Sequence, residues 1–478
     1  MRIAIIAPGS RGDVEPYIAL GKGLKKANNT VRLITHRNFE SLVSSHGLDF
    51  WSIESNVQDF AQSAEMSEGL EKGNFLKVLS QMKKEAERLA ICVAETGLFA
   101  CKDMDVIVAG IGGLFVGFSL AEKFDVPFVQ AYYIPFTPTR GFPSFLFPRL
   151  PQGFNGVLNR LSYHIMRQMI WQSFRSTDKL TRKKVLNLPG PSFWGPYKSR
   201  RLNQNPILYG FSPSVIPPPV DWGSNTYVTG YWYLDPPDDW TPPKELIDFI
   251  DAGSPPIYIG FGSMSSRNPQ EAANLVVKAL ELSKQRGIML SGWGGLQKAD
   301  LPESVFMVDS VPFSWLFPRV GAVVHHGGAG TTAFGLRAGI PSIIVPFFAD
   351  QPFWGHLVAK LGVGPKPIPR KKLTAKRLAK AIEIAITNQM MRQHAVDLGS
   401  KIQAEDGVQR AIKVIQKTAL VVQKLLNACW DQTIVQTRKL KESSNGIHPP
   451  EAFEAINCCK FQQPNLVWDL KKHAQCLK

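Results

Sequence analysis

Two stretches of this sequence begin alike, with an apolar strand, a loop of small residues and then apolar positions at helical spacing. The first runs from Arg2 to Ala7, through Pro8-Gly9-Ser10-Arg11-Gly12-Asp13-Val14-Glu15, to Tyr17, Leu20, Leu24 and Ala27. Pro16 is expected at the helix start, where its missing N–H costs nothing. The second runs from Ile257-Tyr258-Ile259-Gly260-Phe261, through Gly262-Ser263-Met264, to Ala272, Val276, Ala279 and Leu280. Further strands are expected at Val31 to Thr35, Asp105 to Ala109 and Val126 to Ala131, with Leu114 to Lys123 helical. Strands alternating with helices imply parallel sheets covered on both faces, an α/β chain with two doubly wound units.

Eight prolines between Pro213 and Pro243 mark the crossover between the units, being too dense for a helix or a central strand. The expected division is 1–235 for the first lobe, 236–418 for the second, and 419–478 for a poorly packed tail. With 478 residues, 44% of them hydrophobic, there is enough apolar material for both cores, and bulk disorder is excluded. No apolar run reaches the roughly 18 residues of a membrane span, and Pro8-Gly9 interrupts the short apolar start before it resembles a signal peptide. Six dispersed cysteines suit a reducing compartment, so a cytoplasmic location is expected.

The net charge of +16 reads as spread along the chain rather than gathered into a basic arm, which argues against nucleic acid as a partner. An anionic ligand such as a nucleotide diphosphate, or an anionic membrane surface, would each account for it.

The densest chemical signal is Val323-Val324-His325-His326-Gly327-Gly328-Ala329-Gly330-Thr331-Thr332. An apolar strand enters a glycine-rich loop, Thr331 is expected to open a helix, and Gly339 to close it. Glycines admit a ligand close to the backbone, and the free N–H groups of a helix start suit a diphosphate. A plain strand-to-helix turn would look the same. One strand later, Asp350-Gln351 places a carboxylate and an amide just past a strand's carboxyl end, where open α/β sheets gather ligands. Such a pair binds vicinal hydroxyls, although a solvated loop carboxylate reads alike. Asp13 follows the first strand, as a general base or as a carboxylate favoured at a helix start. Gly9 and Gly12 do not match the G-x-G-x-x-G dinucleotide fingerprint.

Taken in order, several motifs resemble the sterol glucosyltransferases. They are Gly9-Ser10-Arg11-Gly12-Asp13-Val14 with Pro16, Tyr209-Gly210 with Ser212-Pro213, Gly230-Tyr231-Trp232, and Gly260-Phe261-Gly262-Ser263-Met264. Val311-Pro312 with Trp315-Leu316-Phe317-Pro318, and the His325 to Thr332 run with Asp350-Gln351, complete the set. That group has the GT-B fold, two Rossmann-like lobes facing each other across a cleft, and the resemblance covers about residues 1 to 415.

The resemblance implies a C-terminal lobe for the UDP-sugar and an N-terminal lobe for the acceptor. Ser10, Arg11 and Asp13 match positions facing the donor, and Val311 and Phe313 match positions that meet the uracil. His326, Gly328, Ala329, Gly330 and Thr331 match the diphosphate cradle, with Ser263 as a further phosphate contact. Asp350 and Gln351 match the binders of the sugar hydroxyls. Plant small-molecule glucosyltransferases carry a histidine base where this chain has Asp13, so a carboxylate would act directly. Val308 falls where those enzymes stack a tryptophan on the uracil. The implied activity is inverting transfer of glucose from UDP-glucose to the hydroxyl of a sterol or similar apolar acceptor, without metal or resident cofactor. The alternatives are the same chemistry on a macrolide, polyketide or glycolipid, or a non-catalytic nucleotide-sugar sensor.

Three weaker signals remain. Asp103-Met104-Asp105 spells the D-x-D of metal-dependent glycosyltransferases, but it precedes a Rossmann-type strand and such triplets are common by chance. Cys458, Cys459, His473 and Cys476 could be drawn as a zinc site, with poor geometry for adjacent cysteines that have no C-x-x-C partner. The loop from Pro135 to Pro151, with Phe136, Phe142, Phe145, Leu146 and Phe147, reads as a folded core loop, an acceptor lid or a surface for transient peripheral membrane contact.

Overall fold

The computed structural model describes residues 1–55, 74–148, 155–236, 240–261, 269–290 and 301–418, with 66, 69 and 420 besides. Ser263, Met264, the Cys458 to Cys476 group and nearly all of 419–478 lie outside the described residues.

Strands β1 (Arg2–Ile6), β2 (Thr30–His36), β3 (Asp49–Ile53), β4 (Val106–Ala109), β5 (Phe128–Tyr132), β6 (Ile207–Tyr209) and β7 (Thr226–Val228) form one sheet in the order β3-β2-β1-β4-β5-β6-β7. Strands β8 (Ile257–Gly260), β9 (Gly287–Leu290), β10 (Val305–Val308), β11 (Ala322–His325) and β12 (Ser342–Ile344) form a second, in the order β10-β9-β8-β11-β12. Every pairing is parallel. Helices cover both faces, so the central strands are buried throughout, which is why β4 and β8 read as unbroken apolar runs. Strand order reverses between β1 and β4 and again between β8 and β11. These are the switch points where the loops at the carboxyl ends of the strands diverge and leave a crevice. The Asp13 loop leaves one of them and the His326 loop leaves the other.

The helix after β1 spans Arg11–Lys26 with Ser10 as its N-cap, so it begins before Pro16 rather than at it. Pro16 is tolerated in the second turn, where its absent N–H leaves only the Gly12 carbonyl without a helical donor. The helix after β11 is Ala329–Ala338, capped by Gly328, so it too starts ahead of the expected Thr331. Gly339 ends it at φ +70, a conformation that glycine adopts without a side-chain clash.

The proline-rich stretch is more than a crossover, because β7 lies between Pro219 and Pro236. It is an edge strand, the one place in a sheet that neighbouring prolines do not disrupt. At the other end, a helix over 407–418 returns to the first unit, where Val408, Ala411, Ile412 and Ile415 pack with Leu20, Leu24 and Val31. A Cβ at Gly23 would lie 2.4 Å from Val408, so the close approach requires that glycine.

Over its described residues, 135–148, the phenylalanine-rich loop packs as a core loop, the first of its three readings. Phe136 is fully buried and Phe145 is 6% exposed. The Tyr209 hydroxyl accepts the Phe136 and Thr137 N–H groups at 3.0 and 2.6 Å, and Ser162 Oγ accepts the Ser144 N–H at 2.9 Å. Backbone donors held this way, with aromatic rings turned inward, leave Phe145 unavailable to a bilayer.

Candidate active site

Each switch point contributes one wall of the site. Gly112 and Gly113 let the loop after β4 press against the end of β1 and the loop after it: a Cβ on Gly112 would sit 2.5 Å from the Pro8 carbonyl oxygen, and one on Gly113 2.7 Å from that of Ile6. The helix Arg11–Lys26 is fixed to β5 by the Tyr17 hydroxyl, which donates to the Ala131 carbonyl at 2.6 Å. Asp13 thus stands in the first turn of a rigid helix. Its Oδ2 accepts the Ser10 N–H and the Ser10 hydroxyl, both at 2.7 Å, and its Oδ1 accepts the Tyr133 hydroxyl. Burial, reinforced by the Asp13 charge, pushes the Tyr133 phenol well above its ordinary pKa, so it remains a donor. Three of the roughly four acceptor sites of a carboxylate are therefore filled, leaving one on Oδ1. Arg11 pairs with Glu15 at 2.6 Å on the exposed side of the same turn.

From the other unit comes the start of Ala329–Ala338. Gly12, Tyr133, Ala329 and Gly330 line one cleft between the two sheets. Gly327 turns the chain at φ +91, and a Cβ on Gly328 would fall 2.5 Å from His326 Nε2. Gly330 differs, since a Cβ there would meet nothing within 4 Å. His325 is a structural residue of the turn, fully buried, with Nδ1 accepting the Gly327 N–H at 3.1 Å. Burial lowers the His325 pKa to about 3, aided by His326, and lowers that of His326 to about 4. Both rings are neutral at neutral pH. Among the described residues, His326 Nδ1 and His325 Nε2 are buried without a hydrogen-bond partner.

Asp350 caps Gln351–Lys360, after Ala349 at the unusual φ of 54. Its Oδ2 accepts the Trp354 indole N–H at 2.9 Å. Burial raises its pKa to about 6, against the Trp354 bond and with a further push from Asp13. Asp13 and Asp350 therefore belong to one electrostatic site although they lie on different units. Gln351 has a structural duty that its motif did not reveal: its Oε1 accepts the Phe347 and Phe348 N–H groups at 2.8 and 3.2 Å, which fixes the loop. Its Nε2 is the end that remains for a ligand.

Val311 is buried, and the Phe313 ring stacks on Phe317 at 4.6 Å. Val308 is buried in β10, and Trp315 packs against Trp240 at 5.6 Å. Asp105 of the D-x-D triplet binds Arg2 through its backbone N–H at 2.8 Å and its guanidinium at 3.0 Å, at the amino edge of the sheet and away from the cleft. Among the described residues no cluster of His, Cys, Asp or Glu has metal-site geometry.

Sequence reasoning missed Tyr133 and Trp354. Tyr133 follows β5 directly, so the carboxyl-end rule that found Asp350 would also have found it. Trp354 lies one helical turn after Asp350.

Residues 3–143 match the glycosyltransferase family 28 N-terminal domain, and residues 290–418 match the erythromycin biosynthesis protein CIII-like C-terminal domain. A sterol 3-beta-glucosyltransferase of Arabidopsis thaliana is 36% identical over 432 residues, covering 87% of this chain and 68% of its own length. One from Komagataella phaffii is 36% identical over 448 residues, covering 90% of this chain. The chain spans about two thirds of the plant protein's length and 36% of the yeast protein's. Among solved structures, the glycotransferase of kitacinnamycin aligns with a TM-score of 0.64 at 17% identity, over 87% of this chain and 98% of its own. The calicheamicin glycosyltransferase CalG4 aligns at 0.59 and 17%, over 87% and 97%. These place the fold among the GT-B glycosyltransferases.

Proposed function

This chain belongs to the sterol 3-beta-glucosyltransferase family, and from that premise we propose that it moves glucose from UDP-glucose to the hydroxyl of a sterol, with inversion at the anomeric carbon. The observation that carries this reading is one cleft in which Gly12 and Tyr133, the chain neighbour and the hydrogen-bond partner of Asp13, face Ala329 and Gly330 at the open helix start. The acceptor oxygen attacks the anomeric carbon while its proton passes to the open site on Asp13 Oδ1, and UDP departs from the opposite face. The helix-start N–H groups and the neutral imidazole of His326 receive the charge that develops on the β-phosphate, a task needing no metal in this reading. Asp350 and the Nε2 of Gln351 take the sugar hydroxyls. With the Phe313 ring engaged by Phe317, the backbone of 311–313 is what a uracil would meet. Sterols reside in membranes, so the enzyme would work from the cytoplasmic side in transient contact with a bilayer. Among the described residues no helix is long and apolar enough to cross one.

Mass spectrometry of products from UDP-glucose and a mixed lipid extract tests the assignment. A hexosyl sterol of β configuration is the expected product. A hexosylated lipid of another class would replace the acceptor, and tight UDP-glucose binding with neither transfer nor hydrolysis would favour a sensor.

Gly330 separates the site from the fold. Alanine there meets no atom of the protein and replaces glycine inside a helix, so stability should hold or rise by up to roughly 1 kcal/mol. UDP affinity should nevertheless fall at least about tenfold, because the methyl group enters the diphosphate's space and about 1.4 kcal/mol is a factor of ten. Unchanged UDP affinity by calorimetry would remove the helix start from the donor site.

A further inference from the structure

The basic excess is not evenly spread, contrary to the expectation from sequence. Residues 155–201 hold ten lysines and arginines and one acid, Asp178, so nine of the net sixteen positive charges fall on a tenth of the chain. Two of the nearby acids are taken up by the fold, while Asp125, about half exposed, pairs with Arg201 at 2.9 Å and Glu87 accepts from the Ser176 hydroxyl at 2.5 Å. Asp178 is 6% exposed and accepts from the Ser119 hydroxyl, and Glu122 is gripped by both ends of the Arg182 guanidinium at 3.0 Å. Lys179, Lys183 and Lys184 remain outside and exposed.

The helix Asn155–Lys184 runs about 45 Å at 1.5 Å per residue. Val157, Leu161 and Ile165 lie on one face a turn apart, 64%, 48% and 43% exposed. The same face continues through Gln168 and Gln172 to Arg175, Lys179 and Lys183. Across its middle lies a loop whose Phe193 carbonyl accepts from Gln168, Trp171 and Gln172 at 3.3, 2.9 and 2.8 Å. That anchorage holds Phe193 and Trp194 outward, each 53% exposed. Arg175 covers the Phe193 ring at 5.1 Å, and Lys198 covers that of Trp194 at 4.9 Å. The result is an apolar ridge tipped by two aromatics and framed by cations, with no exposed acid in the segment. A protein partner would not require so one-sided a charge, whereas an anionic lipid surface matches both components.

We infer that this face docks on an anionic bilayer, with Phe193 and Trp194 entering the boundary between headgroups and acyl chains and the helix lying along the surface. Docking itself is independent of the acceptor. That it brings the enzyme to its acceptor rests on the sterol reading above. Trp171, the residue under the aromatic tip, packs on Phe115 at 4.9 Å, in the first turn of the helix that leaves the β4 switch-point loop. The docking face and the acceptor lobe are thus one rigid unit.

Flotation of the full chain with sterol-free phosphatidylcholine vesicles, with and without phosphatidylserine, tests the inference. Binding should require phosphatidylserine and decline as salt rises. The pair Phe193→Ser and Trp194→Ser should lose it. The pair Lys179→Ala and Lys183→Ala should weaken it roughly thirtyfold, about 1 kcal/mol for each lysine. Both variants should keep wild-type UDP-glucose affinity, which shows that they fold. Equal binding to neutral vesicles, wild-type binding by both variants, or no binding at low salt would overturn the docking surface. Self-association lost with Phe193 and Trp194, in a protein that ignores vesicles, would overturn it in favour of a second copy of the chain. Anionic docking in a protein that never glucosylates sterols would support the surface and sink the sterol reading alone.

Discussion

Replacing Asp13 by Asn is expected to lower turnover about 10²- to 10⁴-fold, the usual contribution of a general base, while leaving UDP-glucose affinity nearly intact. The geometry explains both halves. An amide has one acceptor oxygen, and the Ser10 N–H, which cannot reorient, claims it at the place of Oδ2. The amide nitrogen then occupies the place of Oδ1, where the Tyr133 hydroxyl can rotate from donor to acceptor and keep the contact. The helix start survives, and so does the cleft wall. The acceptor hydroxyl, however, meets an N–H group that cannot take its proton. Single-turnover kinetics beside calorimetry with UDP-glucose decide the matter. A rate within about threefold of wild type would mean that the proton leaves by another group, because a lost base cannot cost so little.

The alternation of apolar strands with helix-spaced runs made both sheets legible, since strands buried on two faces have to be apolar throughout. Boundaries were less legible. Pro16 and Thr331 looked like helix starts because the helix-favouring pattern begins there, but Ser10 and Gly328 cap earlier, and capping depends on local backbone geometry. The chemistry was legible where one loop carries it, as at His325 to Thr332. It was hidden where a partner is remote: Tyr133 lies 120 positions from Asp13, and only the parallel sheet brings them together. Gln351 shows a third limit. Its motif position suggested a ligand contact, yet its Oε1 holds two backbone N–H groups, a role that any buried amide could have. The Phe145 loop was ambiguous for a related reason, because aromatic residues in a loop pack inward or outward according to whether neighbouring backbone donors find partners, and here Tyr209 supplies them.

Replacing Asp350 by Ala is expected to weaken UDP-glucose by about 1.5 to 3 kcal/mol, the range for hydrogen bonds to a charged group, and to leave UDP close to wild type. In the proposed site only the sugar would lose a partner, since the phosphates would be held from Gly328 to Thr331 and by His326. The wild-type protein should show the same discrimination as a function of pH. Burial raises the Asp350 carboxyl to about 6 in the empty site. Sugar hydroxyls donate to the ionised form, so binding favours the carboxylate. As pH falls through about 6 the empty site takes up a proton, and UDP-glucose must expel it to bind. The preference for UDP-glucose over UDP should therefore shrink with falling pH and be flat above about 7. In the alanine variant it should be small and independent of pH. UDP serves as the internal control, because any loss of the cleft itself would weaken both ligands together. Equal weakening of the two, or a pH dependence that survives the substitution, would move Asp350 out of the sugar site and leave its bond to Trp354 as its whole task.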